Sequence, residues 1–399
     1  MEKINDQIRE IIENVRNCGD RAIRIYTKKF DKIGLTDFSV SKKEIEVAYT
    51  KVSKKTIRAI KYSIRNVKKF AKLQYKQYKS FEIEMAPGLI LGQKIVPISR
   101  VGLYIPAGKY PLFSSIIMMA VPANVAGVEE IIICTPPPIK PEIIVTSDML
   151  GIKKIFKIGG PQAIAAMAFG TETIPKVDKI FGPGNKYVTE AKKQLFGTVG
   201  IDKIAGPSEI LVLADDQSNP KFIAADLLAQ AEHDENARAI LVSLSKKLAE
   251  AVQREIRIQL QELKTKEIAA KSWKNNGKIF VCKDEKSAIE IINSIAPEHL
   301  EIQTKNPKKY MEKVKNFGSL FLGPYSAEVF GDYVSGTNHV LPTSGAAKFS
   351  DGLSIRDFFK IQTYQLINKK INKELYIAAK EMAEKEGLYA HKNAIEKRE

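Results

Sequence analysis

Four histidines occur in the 399 residues of this chain, few enough for each to be weighed as a chemical group. They are His233, His299, His339 and His391. A histidine taken at random is more often a surface or hydrogen-bonded core residue than a ligand, so its neighbours decide its interpretation. Gln230 precedes His233 by three residues near the end of a predicted helix, which puts both side chains on one helix face. Asp332 and His339 flank a glycine-containing loop that can bring them to one ion.

These side chains together predict a metal site. Zn²⁺ takes nitrogen and oxygen ligands readily, and two imidazoles, a carboxylate and an amide oxygen suit it. His391 lies near the end of the sequence, an unusual place for a core histidine. The spacing alone is weak evidence, since none of it is as diagnostic as an HExxH motif.

Glu298 and His299 are adjacent in the segment Ala296-Pro297-Glu298-His299-Leu300, after a predicted helix and before a predicted strand. Neighbouring residues of an extended segment point to opposite sides, so the two side chains need not bond to each other. They can instead flank a substrate as two proton-transfer groups. From these residues alone, an exposed acid beside a capping histidine is an equal alternative.

Glycine turns follow several predicted strands. Gly159-Gly160 comes after one strand, and Gly182-Pro183-Gly184-Asn185 comes after another. The second turn has only the first half of a G-x-G-x-x-G dinucleotide fingerprint, which is a weak signal. Ligands of open α/β sheets bind beyond the carboxyl ends of the strands, so both turns are predicted nucleotide contacts.

The elements that would position these groups alternate between short β-rich runs and helical patterns. Seven predicted strands begin at residues 130, 154, 179, 209, 239, 278 and 319. Helical patterns separate the later ones, around residues 221–233, 246–263 and 285–295. This rhythm is typical of βαβ units with a parallel sheet. The sequence therefore predicts an α/β protein with two Rossmann-like parallel-sheet domains and a helical C-terminal tail.

The two ends of the chain have a different pattern. The first ~80 residues are Lys-rich and helical, with Ser41 and Glu44 spaced as a capping box. From about residue 353 the chain again becomes helical and charged. We predict one discontinuous α/β domain from residues 1–103 and 210–352, a second α/β domain from residues 104–209, and a separate tail from 353–399.

Composition bounds the class of protein. The net charge of +17 could attract nucleic acid, but the Lys residues are dispersed and no recognition module accompanies them, which favours solvated helix faces. Cys18, Cys134 and Cys282 lie far apart and favour reduced thiols over disulfides. No signal-peptide pattern or membrane-length apolar run is present. We expect a soluble cytoplasmic protein that binds neither nucleic acid nor membranes.

Eight ordered segments are similar to the histidinol dehydrogenase family, and together they span nearly the whole chain. They are residues 100–108, 159–166, 182–185, 204–209, 230–233, 296–300, 331–343 and 391–394. The resemblance implies one Zn²⁺ per subunit, held by Gln230, His233, Asp332 and His391. His339, considered above as a ligand, is not one in the family's pattern, and its role stays unassigned.

The resemblance also implies the other site residues. Glu298 and His299 would be the catalytic acid/base pair. L-histidinol would be bound by Ser208, Gln230, His233, Glu298, His299, Asp332, Glu386 and His391. NAD would contact Tyr104, Gln162 and Asn185. The family is homodimeric with a tail that crosses to the partner, so Glu386 and His391 would complete the other subunit's site.

The implied reaction is the four-electron, NAD-linked oxidation of L-histidinol to L-histidine through L-histidinal, the last step of histidine biosynthesis. His299 would take the hydroxyl proton, Glu298 would activate the water that hydrates the aldehyde, and zinc would orient the substrate. A Cys nucleophile is the alternative for aldehyde oxidation. Rival interpretations are a basic nucleic-acid-binding protein, a degenerate member of the fold, and a related dehydrogenase of another amino alcohol.

Overall fold

In the computed structural model, residues 2–106, 110–204, 206–369 and 371–399 are described. Three N-terminal helices come first: α1 (Glu2–Phe30), α2 (Lys42–Lys51) and α3 (Lys54–Tyr75). The predicted capping box is confirmed, since Ser41 Oγ accepts from the Glu44 amide and the Glu44 carboxylate accepts from the Ser41 amide. Along α3, Ile60, Val67 and Ala71 recur at helical spacing and are buried.

An antiparallel hairpin follows, made of β1 (Phe81–Ala86) and β2 (Leu89–Pro97). It was not predicted from the sequence. Its side chains are mostly exposed or half-buried, so the run lacks the strong apolar signal of a core strand.

The first parallel sheet occupies the middle of the chain. Its elements are β3 (Arg100–Tyr104), α4 (Phe113–Ala126), β4 (Glu130–Thr135), α5 (Pro141–Met149), β5 (Lys154–Lys157), α6 (Gly160–Phe169), β6 (Lys179–Phe181), α7 (Lys186–Leu195) and β7 (Gly200–Ile201). The strand order is β5-β4-β3-β6-β7, and every pairing is parallel. Order reverses beside β3, the position at which open sheets of this kind leave a crevice for ligands.

The second parallel sheet is built from the following segment. Its elements are β8 (Glu209–Ala214), α8 (Pro220–Ala231), β9 (Arg238–Ser243), α9 (Lys246–Glu262), α10 (Lys266–Asn276), β10 (Lys278–Val281), α11 (Glu285–Ile295), β11 (His299–Ile302), β12 (Ser319–Leu322) and α12 (Glu328–Tyr333). The order is β10-β9-β8-β11-β12, again all parallel. Two parallel-sheet units with helices on their faces confirm the predicted fold class.

The tail contains a strand before its helices. β13 (Phe359–Ile367) pairs antiparallel with β2 and completes a three-stranded sheet, and α13 (Lys373–Lys385) and α14 (Tyr389–Glu396) follow. The prediction of helix from about residue 353 is therefore wrong for β13. The strand has Lys, Gln and Thr among its apolar residues without regular alternation, and among the described strands it pairs only with β2, about 270 residues earlier in the chain.

The N-terminal helices pack on the first sheet. Ile8, Val15 and Ile23 of α1 share a core with Ile164 of α6 and Val188 of α7. The sequence grouped residues 1–103 with the later strands instead, because an amphipathic stripe shows that a face is buried without showing against which sheet. The domain limits themselves stay a prediction. Among the described residues, no helix is both long enough and apolar enough to cross a membrane.

Candidate functional site

Opposite edges of the two parallel sheets meet at the candidate site. Tyr104 ends β3, and the glycine turns at residues 159–160 and 182–185 follow β5 and β6, so the first sheet contributes its carboxyl edge. His299 begins β11 and Ser208 directly precedes β8, so the second sheet contributes its amino edge. The rule that ligands bind beyond the carboxyl ends of parallel strands therefore predicts the contribution of the first sheet, but not that of the second.

His299 is buried and its two ring nitrogens have different surroundings. Nδ1 lies 3.1 Å from the Glu209 carbonyl oxygen. A carbonyl can only accept, so Nδ1 carries the proton and Nε2 of the neutral ring is left with a free lone pair. Nε2 has no hydrogen-bond partner among the described residues and lies 3.8 Å from Asp332 Oδ1. Burial lowers the pKa of His299 to about 4, so the ring is neutral near neutral pH.

Glu298 is held by the backbone amide of Glu209, the residue whose carbonyl oxygen contacts His299. Its Oε2 accepts a hydrogen bond of 2.9 Å from the Glu209 amide and lies 3.8 Å from His299 Nδ1. Burial raises the pKa of Glu298 well above its usual value, and the Glu209 amide opposes that shift. The adjacent pair is thus buried and faces one cavity, which contradicts the alternative of an exposed acid beside a capping histidine.

A cluster that could hold a metal ion lies beside His299. One ligand atom each from His299, Glu328 and Asp332 lies within 4.8 Å of the others, and all three residues are buried. Glu328 is one helical turn before Asp332 on α12, and its Oε1 has no hydrogen-bond partner among the described residues. Glu328 was missed in the sequence because Ala327-Glu328-Val329 has no recognisable ligand motif.

Gln230 fits a ligand role by its burial. Its side chain is completely buried, and neither amide atom has a hydrogen-bond partner among the described residues. Leaving an amide unpaired in a protein interior costs about 1–3 kcal/mol, so an ion or ligand that takes the oxygen would remove a real penalty. His233, three residues later, is exposed and lines the same cavity as His299.

That cavity has a volume of about 160 Å³. Its polar lining includes Ser208, His233, Glu298, His299 and His339. His339 bridges two elements: Nδ1 is 2.8 Å from the Asp332 carbonyl oxygen, and Nε2 is 3.2 Å from Ser115 Oγ of α4. It therefore fixes the end of α12 against the first unit, a contact that its sequence position did not indicate.

Glu386 and His391 do not line this cavity. Glu386 caps α13, His391 is in α14, and both side chains are exposed. The two helices pack chiefly against each other. Within a single chain, Ser208, His233, Glu298 and His299 line this cavity and Asp332 lies beside His299. Gln230 is buried three residues before His233, and the two tail residues lie apart from the cavity lining.

The three predicted NAD contacts line a second cavity, of about 370 Å³. Tyr104 Oη accepts from the Gly160 amide at 3.1 Å, and Asn185 Oδ1 caps α7 by accepting from the amides of Tyr187 and Val188. Gln162 is buried with neither amide atom paired among the described residues. These loops therefore do converge, as their positions after β3, β5 and β6 predict.

Gly182 keeps the turn after β6 in place. Its φ of 117° is in the region that favours glycine, and a Cβ there would collide with the carbonyl oxygen of Tyr104. The Asp202 carboxylate accepts from the Gly182 amide at 2.7 Å, and the Lys192 ammonium donates to the Gly182 carbonyl at 3.0 Å. Lys192 and Asp202 also form a buried ion pair with each other.

Comparison with known proteins shows the family to which the chain is similar. The family model described as histidinol dehydrogenase matches residues 1–399. A histidinol dehydrogenase of Clostridium acetobutylicum is 49% identical over 395 residues, which cover 98% of this chain and 91% of that protein. One from Methanocaldococcus jannaschii is 45% identical over 401 residues, covering 100% and 93%. The crystal structure of histidinol dehydrogenase from Elizabethkingia anophelis has a TM-score of 0.94 at 43% identity, covering 98% and 91%.

The chain belongs to the histidinol dehydrogenase family. The match includes the tail that carries Glu386 and His391, so the resemblance found in eight segments is confirmed over the whole chain. An acetylating aldehyde dehydrogenase from Geobacillus thermoglucosidasius also superposes, with a TM-score of 0.50 and 13% identity over 93% of this chain and 98% of that one. That likeness shows a shared fold alone.

We expect Gly182→Ala to destabilise the protein by more than Gly197→Ala. Both glycines have positive φ, 117° and 98°, so both substitutions carry the backbone strain of about 1–2 kcal/mol. Only at Gly182 does the new methyl group meet backbone, the Tyr104 carbonyl, whereas nothing lies within 4 Å of the same position at Gly197. Urea unfolding of both variants measures the difference, and equal losses would contradict the role given to this contact.

Proposed function

We propose that the chain is a zinc-dependent, NAD-linked dehydrogenase that oxidises L-histidinol to L-histidine, the last step of histidine biosynthesis, in the cytoplasm. The observation that carries the proposal is the buried pair Glu298 and His299, facing a cavity beside Asp332 in a chain of this family. The overall change converts a primary alcohol, two NAD⁺ and water into a carboxylate, two NADH and three protons.

His299 is the proposed base for the alcohol. Its Nε2 has a free lone pair and no partner among the described residues, while Nδ1 is anchored on the Glu209 carbonyl. A neutral imidazole with a fixed tautomer can take the hydroxyl proton as the hydride departs. Bound NAD would accept the hydride in each of the two oxidations.

Glu298 is the proposed base for the water that adds to the aldehyde. Burial raises the pKa of this carboxyl, so its basicity is greater than that of an exposed glutamate. The Cys alternative has less support. Cys134 is completely buried within β4 and burial strongly raises the pKa of its thiol; neither Cys134 nor Cys282 lines the cavity.

Gln230, His233 and Asp332, with His391 from the partner, are the proposed ligands of one zinc ion per subunit. Zinc, when bound, would hold the imidazole and amine of the substrate and orient its carbinol carbon. A divalent cation also suits the charges: Glu328 and Asp332 are buried close together, and neither forms an ion pair with a Lys or Arg among the described residues. Ser208 and Glu386 are proposed to complete the histidinol site.

Tyr104, Gln162 and Asn185 are the proposed NAD contacts. They line one cavity after strands of the first sheet, and the unpaired Gln162 amide offers both a donor and an acceptor. Asn185 and the first amides of α7 lie at a helix N-terminus, an environment that favours a phosphate.

The homodimer is proposed from exposed apolar surface as well as from the family. Phe81, Ile83 and Met85 of β1 are each more than half exposed, as are Ile377 and Met382 of α13. Apolar side chains concentrated in this way favour burial against another chain. Tail helices that pack mainly on each other could reach a neighbouring subunit, which would deliver Glu386 and His391 to its cavity.

Purified protein given L-histidinol and NAD should form about two NADH per histidine. Both products are measured together, by absorbance at the NADH band and by amino-acid chromatography. A chelator should abolish the reaction, and added zinc should restore it, because metal binding is part of the proposed substrate site. One NADH with free aldehyde accumulating would contradict the four-electron proposal.

Glu328→Gln should lower the affinity of the apoprotein for zinc by roughly tenfold or more, because a buried carboxyl that can ionise beside a bound cation is lost. Competition with a chromogenic chelator measures this directly, without substrate. Glu290→Gln on the exposed side of α11 is the matched control and should bind zinc as the wild type does. Unchanged affinity in Glu328→Gln would exclude this carboxylate from the metal environment.

A heterodimer of His299→Asn and His391→Ala subunits tests whether the sites are shared. Each homodimer should lose activity by at least about 100-fold. The heterodimer, isolated with two different tags, should recover about half of the wild-type activity, since one of its two sites combines native His299 with native His391 of the partner. No recovery would show that His299 and His391 act within one chain. A His391→Ala homodimer that keeps its activity would show that His391 is not needed.

A further inference from the structure

The cavity lined by Tyr104, Gln162 and Asn185 is also lined by a carboxylate to which the proposed function gives no role. Asp31, the first residue after α1, also lines it. Asp31 is the only charged side chain in the described lining, which is otherwise apolar or carries neutral polar groups.

Asp31 lacks the partners that usually stabilise a partly buried carboxylate. Its Oδ2 atom is buried and has no hydrogen-bond partner among the described residues. No described Lys or Arg forms an ion pair with it. Burial raises the pKa of this carboxyl, in agreement with an environment that leaves its charge uncompensated. Such a group accepts hydrogen bonds from hydroxyls and repels phosphates.

The position of the cavity indicates which part of a dinucleotide would reach Asp31. The turn at residues 182–185 separates the two cavities: Gly182 and Pro183 line the one that holds His299, and Asn185 lines the one that holds Asp31. A nicotinamide near His299 is required for hydride transfer from the substrate. The other half of the molecule, adenosine with its ribose, then occupies the cavity of Asp31.

We propose that Asp31 binds the hydroxyls of the adenosine ribose and thereby selects NAD against NADP. The inference rests on the proposed NAD-linked function. The ribose hydroxyls would donate to Asp31 Oδ2 and satisfy its unpaired lone pairs. In NADP the 2′-oxygen carries a phosphate, which would place two negative groups together with no Lys or Arg in the described lining to compensate.

Binding of NAD and of NADP to the full-length protein, measured separately by calorimetry, tests this proposal. The wild type should bind NAD and discriminate strongly against NADP. Asp31→Asn should weaken NAD binding about tenfold, the loss expected for a hydrogen bond to a charged acceptor, and should narrow the NAD-to-NADP preference by a larger factor. Asp31→Ser, which removes the charge with a smaller side chain, should narrow the preference in the same way.

Asp216→Asn, in an exposed turn of the second parallel-sheet unit, is the matched control and should leave both affinities unchanged. A wild type that binds NAD, with both Asp31 variants retaining its affinities and its preference, would overturn the role of Asp31 and leave the proposed function standing. A wild type that binds neither dinucleotide would overturn the NAD-linked function as well.

Discussion

The backbone amide of Glu209 donates to Glu298 and its carbonyl accepts from His299, the two residues proposed as the proton-transfer pair. Glu209 is the first residue of β8, and β11, which begins with His299, pairs with β8 in parallel register. One backbone unit of the sheet therefore sets the carboxylate position, the imidazole orientation and the tautomer together. A shift of one residue in this register would turn His299 away from the cavity.

The buried carboxylates around Glu298 and His299 repel one another and lower the stability of the folded chain when no cation is bound. Four acidic residues are buried here: Glu298 directly before β11, Glu301 within β11, and Glu328 and Asp332 on α12. Hydrogen bonds behind the site stabilise the carboxylates of Glu301 and its neighbour Asp226. Gln303 donates to both, and the Glu328 amide also donates to Glu301. Burial raises the pKa of Glu301 and of Glu328, which favours their protonated forms when no cation is bound. A cation beside Asp332 would reduce the repulsion between these carboxylates, so metal binding would stabilise the acidic cluster.

The opposed sheet edges explain how one site can receive groups from both parallel-sheet units. The first unit presents loops at its carboxyl edge, where backbone amides and glycine turns suit a dinucleotide. The second presents side chains at its amino edge, next to the end of α8. His339, anchored between Ser115 of α4 and the Asp332 carbonyl, ties the two units together beside the cavity. Polar contacts of this kind help to set the relative position of the two units.

The sequence by itself predicted most elements of the two parallel sheets and most of the candidate site residues. The alternation of β-rich runs, glycine turns and helical patterns was sufficient for the two parallel sheets, because period and turn chemistry are local properties. The rarity of histidine, with the segment around His299, indicated Glu298 and His299 as candidates, and the glycine turns indicated the loops at residues 159–160 and 182–185. Tyr104, Gln162 and Asn185 themselves came from the family resemblance. The division of the histidines into roles came from the family resemblance rather than from spacing.

Only the tertiary structure decided what depends on contacts distant in sequence. Glu328 and Asp31 have no motif and become candidates through a buried oxygen without a partner among the described residues, in Glu328 beside His299 and in Asp31 at the wall of a cavity. β13 is a strand because it pairs with the edge of a hairpin far away in the chain. The apolar face of α1 is buried against the first parallel sheet and its helices, which only the folded chain shows. His339, which the sequence left without a role, is placed by two hydrogen bonds to residues 7 and 224 positions away. Hydrogen-bond satisfaction and burial are properties of the folded chain, and no local pattern encodes them.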